Sequence, residues 1–159
     1  MKTNKILMLV LLLSTTLFSA MCSSDDGPNS SNNIQDQIDQ VENTAVSGSW
    51  VITYFFDTDQ EETSNYNGYT FEFAANGALT ATNGTNTYTG TWSVTDDSNS
   101  MDDSSSDDDI DFNIFFSTPE DFAELSDDWD IISHTSTQIK LIDVSGGNGG
   151  TDYLTFVKQ

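Results

Sequence analysis

Tyr69-Thr70-Phe71-Glu72-Phe73-Ala74-Ala75-Asn76-Gly77-Ala78-Leu79-Thr80-Ala81 is the stretch that decides the fold. Tyr69, Phe71 and Phe73 alternate with Thr70 and Glu72, so an extended chain here has one apolar face and one polar face. Asn76-Gly77 follows, a pair suited to the tight primed turn that needs positive φ. Leu79 and Ala81 then carry the apolar face back. The stretch is a β-hairpin with one side for a core and one for water.

The same period extends in both directions. Upstream, Gly48-Ser49-Trp50 opens an apolar strand over residues 50–56, and 58–68 is a polar loop. Downstream, Asn83-Gly84 marks a second turn, after which Tyr88, Trp92 and Val94 alternate with Thr87, Thr89, Thr91 and Ser93. Gly90 falls on the apolar face, where it relieves crowding or permits strong coiling. Residues 96–109 are Asp, Ser and Asn with one Met, and their mutual repulsion predicts a mobile loop. A strand over 110–116 points Ile110, Phe112, Ile114 and Phe116 one way. Pro119-Glu120-Asp121 reads as a helix start, and places Phe122 and Leu125 to plug one end of a barrel. Strands over 129–133, 138–144 and 153–158 complete the set, with a glycine-rich turn at 145–150.

Eight short strands joined mostly by tight turns predict an all-β fold, a small eight-stranded antiparallel up-and-down barrel with a short helix. A β-sandwich is the alternative. Closure favours the barrel, because it removes exposed strand edges.

The first residues stand apart from this pattern. Lys2 and Lys5 precede an apolar run over 6–18, interrupted only by Ser14, Thr15 and Thr16, and Ser19-Ala20-Met21-Cys22 closes it. A charged start, a short apolar stretch and a small-residue exit describe a secretory signal peptide over 1–21. The run falls short of the about 20 apolar residues that span a bilayer. Cys22 is the only cysteine, so no internal disulfide can form. Ser19-Ala20-Met21-Cys22 resembles the bacterial lipoprotein signal, although the tight form has leucine at Ser19 and glycine or alanine at Met21. That resemblance implies cleavage before Cys22 and lipid attachment to its sulfur. Cys22-Ser23-Ser24-Asp25-Asp26 is similar to the export tag of surface lipoproteins in the Bacteroidetes, especially the flavobacterial kind. It implies a lipid-anchored protein at the outer membrane and on the cell surface. Polar residues 23–33 read as tether. Ile34, Ile38 and Val41 then recur as one face of a short helix, with further tether as the alternative. The expected organisation is signal peptide 1–21, lipidated tether with a short helix 22–44, and barrel 45–159.

Charge narrows the partners. The chain carries 26 acids against 4 lysines and no arginine, a formal net charge of −22, and loss of the leader removes two of those lysines. Nucleic acid is excluded, since its binding rests on basic contacts to phosphate. The membrane is reached through lipid, not through a basic surface. No protein partner can be named.

Order adds a family resemblance. Gly48-Ser49-Trp50 resembles the Gly-x-Trp that opens the first strand of lipocalins. Tyr69-Thr70-Phe71-Glu72-Phe73, Asn76-Gly77, Gly90-Thr91-Trp92, Gln138-Ile139-Lys140-Leu141 and Tyr153-Leu154-Thr155-Phe156 are similar to the body and ending of lipocalin-like domains on Bacteroidetes lipoproteins. The likeness covers roughly residues 46–158. It implies an eight-stranded barrel, sometimes with an apolar ligand inside. The Thr-Asp-x-Tyr motif of larger lipocalins is not in its usual place.

Chemistry is sparse. His134, the only histidine, lies between Ser133 and Thr135 with no recognisable nucleophile partner, and reads as a surface or turn residue. Asp107, Asp109, Asp111 and Asn113 recur every two residues like the start of an EF-hand, but Phe112 holds the sharp-turn glycine position and Thr118 the closing glutamate position. No enzyme, metal or cofactor is expected. The candidate site is the barrel interior. Trp50, Tyr54, Phe71, Phe73, Trp92, Phe112 and Phe116 are the expected ligand-contacting set, with Phe156 also inward. An eight-stranded barrel is just wide enough to be filled by side chains or to hold one small ligand. Bulky residues on short strands favour filling. Two functions follow: a carrier of a small apolar molecule, or an interaction or structural module that works through its surface.

Overall fold

A computed structural model of the protein describes residues 30–96, 110–144 and 149–159, with side chains from Asn33 onward. The expected signal peptide, Cys22, the start of the tether, most of the acidic loop with Asp107 and Asp109, and most of the 145–150 turn lie outside the described residues.

Helix α1 (Ser30–Ala45) precedes strands β1 (Ser49–Asp57), β2 (Gln60–Glu61), β3 (Thr70–Phe73), β4 (Ala78–Thr82), β5 (Thr87–Asp96) and β6 (Ile110–Phe115). A one-turn helix α2 (Glu120–Ala123) leads to β7 (Asp127–Thr135), β8 (Gln138–Val144) and β9 (Thr151–Lys158). From β3 onward each strand pairs antiparallel with the next, β3 also pairs with β1, and β9 returns to β1. The β1–β9 register, from Trp50 opposite Lys158 to Phe56 opposite Tyr153, closes the sheet. An eight-stranded up-and-down barrel is the result, not a sandwich. Strand β2 is a short addition that folds back on β1.

The turns form where the sequence places them. They are not two-residue primed turns: each is a four-residue connection, 74–77 and 83–86, in which Gly77 (φ 80°) and Gly84 (φ 82°) take positive φ while Asn76 and Asn83 do not. Gly90 faces inward on β5, and a Cβ there would lie 2.9 Å from Phe116 Cδ1 and against the Phe115 carbonyl. Crowding is therefore the reason for a glycine at this point.

Alternation fills the interior. Trp50, Phe71, Phe73, Trp92, Phe112, Phe116 and Phe156 are all buried in one cluster. Tyr54 does not join them. It is 41% exposed, on the outer surface. Its displacement has a local cause: the β1–β9 register shifts between Ile52 and Tyr54. Thr53 is the extra residue of a β-bulge, and beyond it the inward position passes to Phe55, which is 1% exposed. A second bulge lies between Ile131 and Ser133 on β7, where Ile132 is the extra outward residue and Ser133 is turned outward as well.

Both ends of the barrel are covered. Helix α1 forms as the spacing of Ile34, Ile38 and Val41 predicts, and Ile38, Val41 and Ala45 enter the barrel core. It packs on β5, β6 and β7 at the end where β1 begins. At the other end sit α2 and a 3-10 turn, Thr63–Tyr66, which bury Phe122 and Tyr66. The plugging role expected of Phe122 and Leu125 is realised, for both are buried.

Each tryptophan ties its indole N–H to a carbonyl beside a closing segment. Trp50 donates to Ala45 at the end of α1 (2.8 Å), Trp129 to Leu125 just after α2 (3.1 Å), and Trp92 to Ala74 in the β3–β4 turn (2.9 Å). Large rings thus enter the core with their polar atoms satisfied.

Candidate functional site

The interior comes first, since the expected ligand-contacting residues lie there. They contact one another. Phe73 sits edge-on to Trp92, Phe112 and Phe156, with ring centroids 5.3, 5.5 and 5.4 Å away. Trp92 stacks on Phe112 at 5.7 Å, and Phe71 meets Phe156 edge-on at 5.5 Å. Phe122 drops from α2 into the upper end and meets Tyr88 at 4.7 Å, Tyr69 at 5.0 Å, and Tyr66 and Phe116 at 5.4 Å each. Centroid separations of this size are those of packed aromatic pairs. The structure buries six of the seven candidate residues in one core, five of them linked through ring contacts and Trp50 beside them, and leaves Tyr54 outside.

Tyr66, Tyr69, Phe55 and Trp129 share this core without having been singled out as candidates. Tyr66 sits within a polar stretch that has no period, so only tertiary contact places it. Trp129 and Phe55 obey inward alternation, the latter only after the bulge.

A second feature lies at the upper rim. Asp127, Asp143 and Asp152 each stand two residues from a buried position, beside Trp129, Leu141 and Leu154. Period-two alternation therefore turns all three toward the barrel axis. One carboxylate oxygen from each lies within 4.8 Å of the others. That signal was present in the sequence, hidden by the abundance of other acids. Burial, then a hydrogen bond with Asp128 and the charge of Asp143, push the Asp127 carboxyl up to about 7. Burial also raises Asp152, although the Thr58 backbone N–H donates to it at 2.6 Å and pulls the other way. Nearby, burial and a hydrogen bond with Glu62 push Glu124 up to about 7. Such a rim holds protons near neutrality. It offers hard oxygen donors to a cation, but three are fewer than the about 6–8 that calcium takes.

The remaining candidates are peripheral. His134 lies at the end of β7, opposite Ile139 on β8. Asp111 and Asn113 lie on the outer side of β6, and the Asn113 amide donates to Thr95 Oγ1 at 2.8 Å. A shallow external groove of about 460 Å³ runs over β5 and β6 to Asp127, with the 57%-exposed Phe115 at its edge. A smaller one of about 230 Å³ lies between α1 and the β3–β4 turn.

The outer surface over β1, β9 and β8 is apolar at its centre. Tyr54 and Phe56 stack with centroids 6.5 Å apart and planes 12° apart, and Phe56 meets Tyr153 at 6.5 Å.

No protein-family model matches the chain, and no curated protein does. Among solved structures, a DUF4847 family protein from Bacteroides vulgatus is similar, with 19% identity and a TM-score of 0.46 over 75% of this chain and 99% of that one.

Proposed function

We propose that this is a lipid-anchored protein of the bacterial outer membrane, displayed at the cell surface, whose barrel is a filled interaction module and not a carrier or an enzyme. One observation carries the choice against a carrier: the rings expected to contact a ligand are packed on each other, with Phe122 and Tyr66 set into one end and α1 across the other. An apolar guest would have to displace that plug. The anchor and the address rest on the apolar leader, on Cys22 and on Ser23-Ser24-Asp25-Asp26. Among the described residues no helix is long and apolar enough to cross a membrane, and lipid on Cys22 would supply the attachment.

Two measurements test this. Cells expressing the full chain are fed an alkyne fatty acid. The protein should take up the label and respond to protease added outside the cells, and Cys22→Ser should abolish labelling. Native mass spectrometry should find no apolar molecule in the barrel of the delipidated protein. Label that survives Cys22→Ser overturns the anchor, and a stoichiometric co-purified lipid overturns the filled module.

A further inference from the structure

The strand registers align one cross-strand row on the outside of the barrel. Glu61 on β2 faces Phe56 on β1, Phe56 faces Tyr153 on β9, Tyr153 faces Ile142 on β8, and Ile142 faces Asp130 on β7. Directly opposed residues share a face, so this row runs acid, three apolar side chains, acid. Tyr54, two residues from Phe56, widens the apolar part. Asp111 on β6, opposite Asp130, extends its acidic end.

We propose that this row docks an extended cationic segment of another polypeptide, with basic side chains at Glu61 and Asp130 and apolar side chains over Phe56, Tyr153 and Ile142. The proposal rests on the reading of the barrel as an interaction module and names the surface and the chemistry of the partner. Charge decides the occupant. A second copy of this chain brings the same excess of acids to a face already edged by acids. Lys140 is the one base on this outer face among the described residues, one row away and beside Ser133 and Thr155. A cationic partner meets complementary charge at both edges and an aromatic floor between them.

Spacing fixes the form of that partner. Glu61 and Asp130 are four strand steps apart, or roughly 19 Å at about 4.8 Å per step. An extended chain advances about 3.3 Å per residue, so the two bases stand about six residues apart. Phe56 stacks on Tyr54 and meets Tyr153 at a tilt, contacts that hold the floor in place before binding.

The test uses the full-length protein in detergent and a synthetic peptide with two lysines about six residues apart, separated by alternating threonine and tryptophan. A control peptide carries glutamates in place of the lysines. Expected is saturable binding of the lysine peptide that weakens with salt and no binding of the control. Tyr153→Ser should weaken it about tenfold, as loss of a central aromatic does. Glu61→Gln and Asp130→Asn, read beside it, should each raise the salt-sensitive part of Kd by about threefold. These surface changes keep a readout if Tyr153→Ser fails to fold. Equal affinity in all variants, equal binding of the glutamate peptide, or association of the protein only with itself overturns the proposal. None of these outcomes depends on whether lipid occupies the barrel, so the two readings fail separately.

Discussion

Tyr66 and Phe122 meet edge to face, 5.4 Å between centroids and 79° between planes, and the Tyr66 hydroxyl donates to the carbonyl of Asp121 at 2.5 Å. Two segments 55 residues apart in sequence are thereby latched over the same end of the barrel. Burial pushes the Tyr66 hydroxyl well above its usual range, so it stays a donor.

That latch sets the first prediction. Phe122→Ala removes a ring that contacts Tyr66, Tyr69, Tyr88 and Phe116, and leaves a cavity between them. The loss should be about 3–5 kcal/mol by urea denaturation. The vacated volume should make the barrel take up an apolar fluorescent dye that the parent protein ignores. Tyr66→Phe should cost only about 1 kcal/mol, the worth of one hydrogen bond, with no dye uptake. A dye that binds parent and Phe122→Ala alike removes the plug from the account.

Gly90 gives the second. Any Cβ there meets the Phe115 carbonyl and the Phe116 ring, the latter at 2.9 Å. A ring can shift, but a carbonyl within a paired strand moves only with its strand. Gly90→Ala should therefore cost about 1–3 kcal/mol, although alanine suits a strand better than glycine does. Adding Phe116→Leu should recover only part of it. A neutral Gly90→Ala, checked by thermal melting, means the crowding has been overstated.

Much of this architecture was readable because side-chain alternation and turn chemistry agree from Trp50 to the end. The strands, the Asn76-Gly77 and Asn83-Gly84 turns, the α1 face and the Phe122 plug follow from local patterns. What escaped is what local pattern cannot hold. Tyr54 and Phe55 are both large and apolar, so only the register with β9 decides which one enters. Tyr66 lies in a polar stretch and is claimed by Phe55, Phe71 and Phe122 from elsewhere in the chain. Asp127, Asp143 and Asp152 keep the inward period, but only barrel closure tells that three strands converge at one rim.

The bulge itself can be tested. Deleting Thr53 restores simple alternation to β1 and keeps Ile52 and Phe55 inward, Tyr54 outward and the register with β9 unchanged. Deleting Val51 instead keeps the register beyond the bulge but turns Ile52, 8% exposed, outward and Thr53 inward. The Thr53 deletion should stay folded and cost about 1–2 kcal/mol, whereas the Val51 deletion, which exchanges a buried isoleucine for a threonine, should cost about 3 kcal/mol or more. Circular dichroism and urea midpoints separate these outcomes. A Thr53 deletion that unfolds, or a Val51 deletion as stable as the parent, means the bulge does not set which aromatic is inside.

The acidic rim makes stability depend on pH in a defined sense. The Asp127 carboxyl is raised from 3.8 to about 7 in the folded protein, chiefly by burial. The native state thus holds a proton that the unfolded chain releases, and stability falls as pH rises across the interval between those two values. Above about 7 the rim carries its full repulsion, and below about 4 the two states are protonated alike and the gain is complete. Asp127→Asn fixes a neutral group at this position. It should raise the melting temperature by a few degrees at about pH 8 and change it far less at about pH 5. Glu124, raised to about 7 by burial and by Glu62, acts in the same direction, so the slope should flatten in the variant without vanishing. A melting temperature that rises with pH across this interval, or an Asp127→Asn effect equal at both values, means the three carboxylates are solvated and do not repel one another inside the rim.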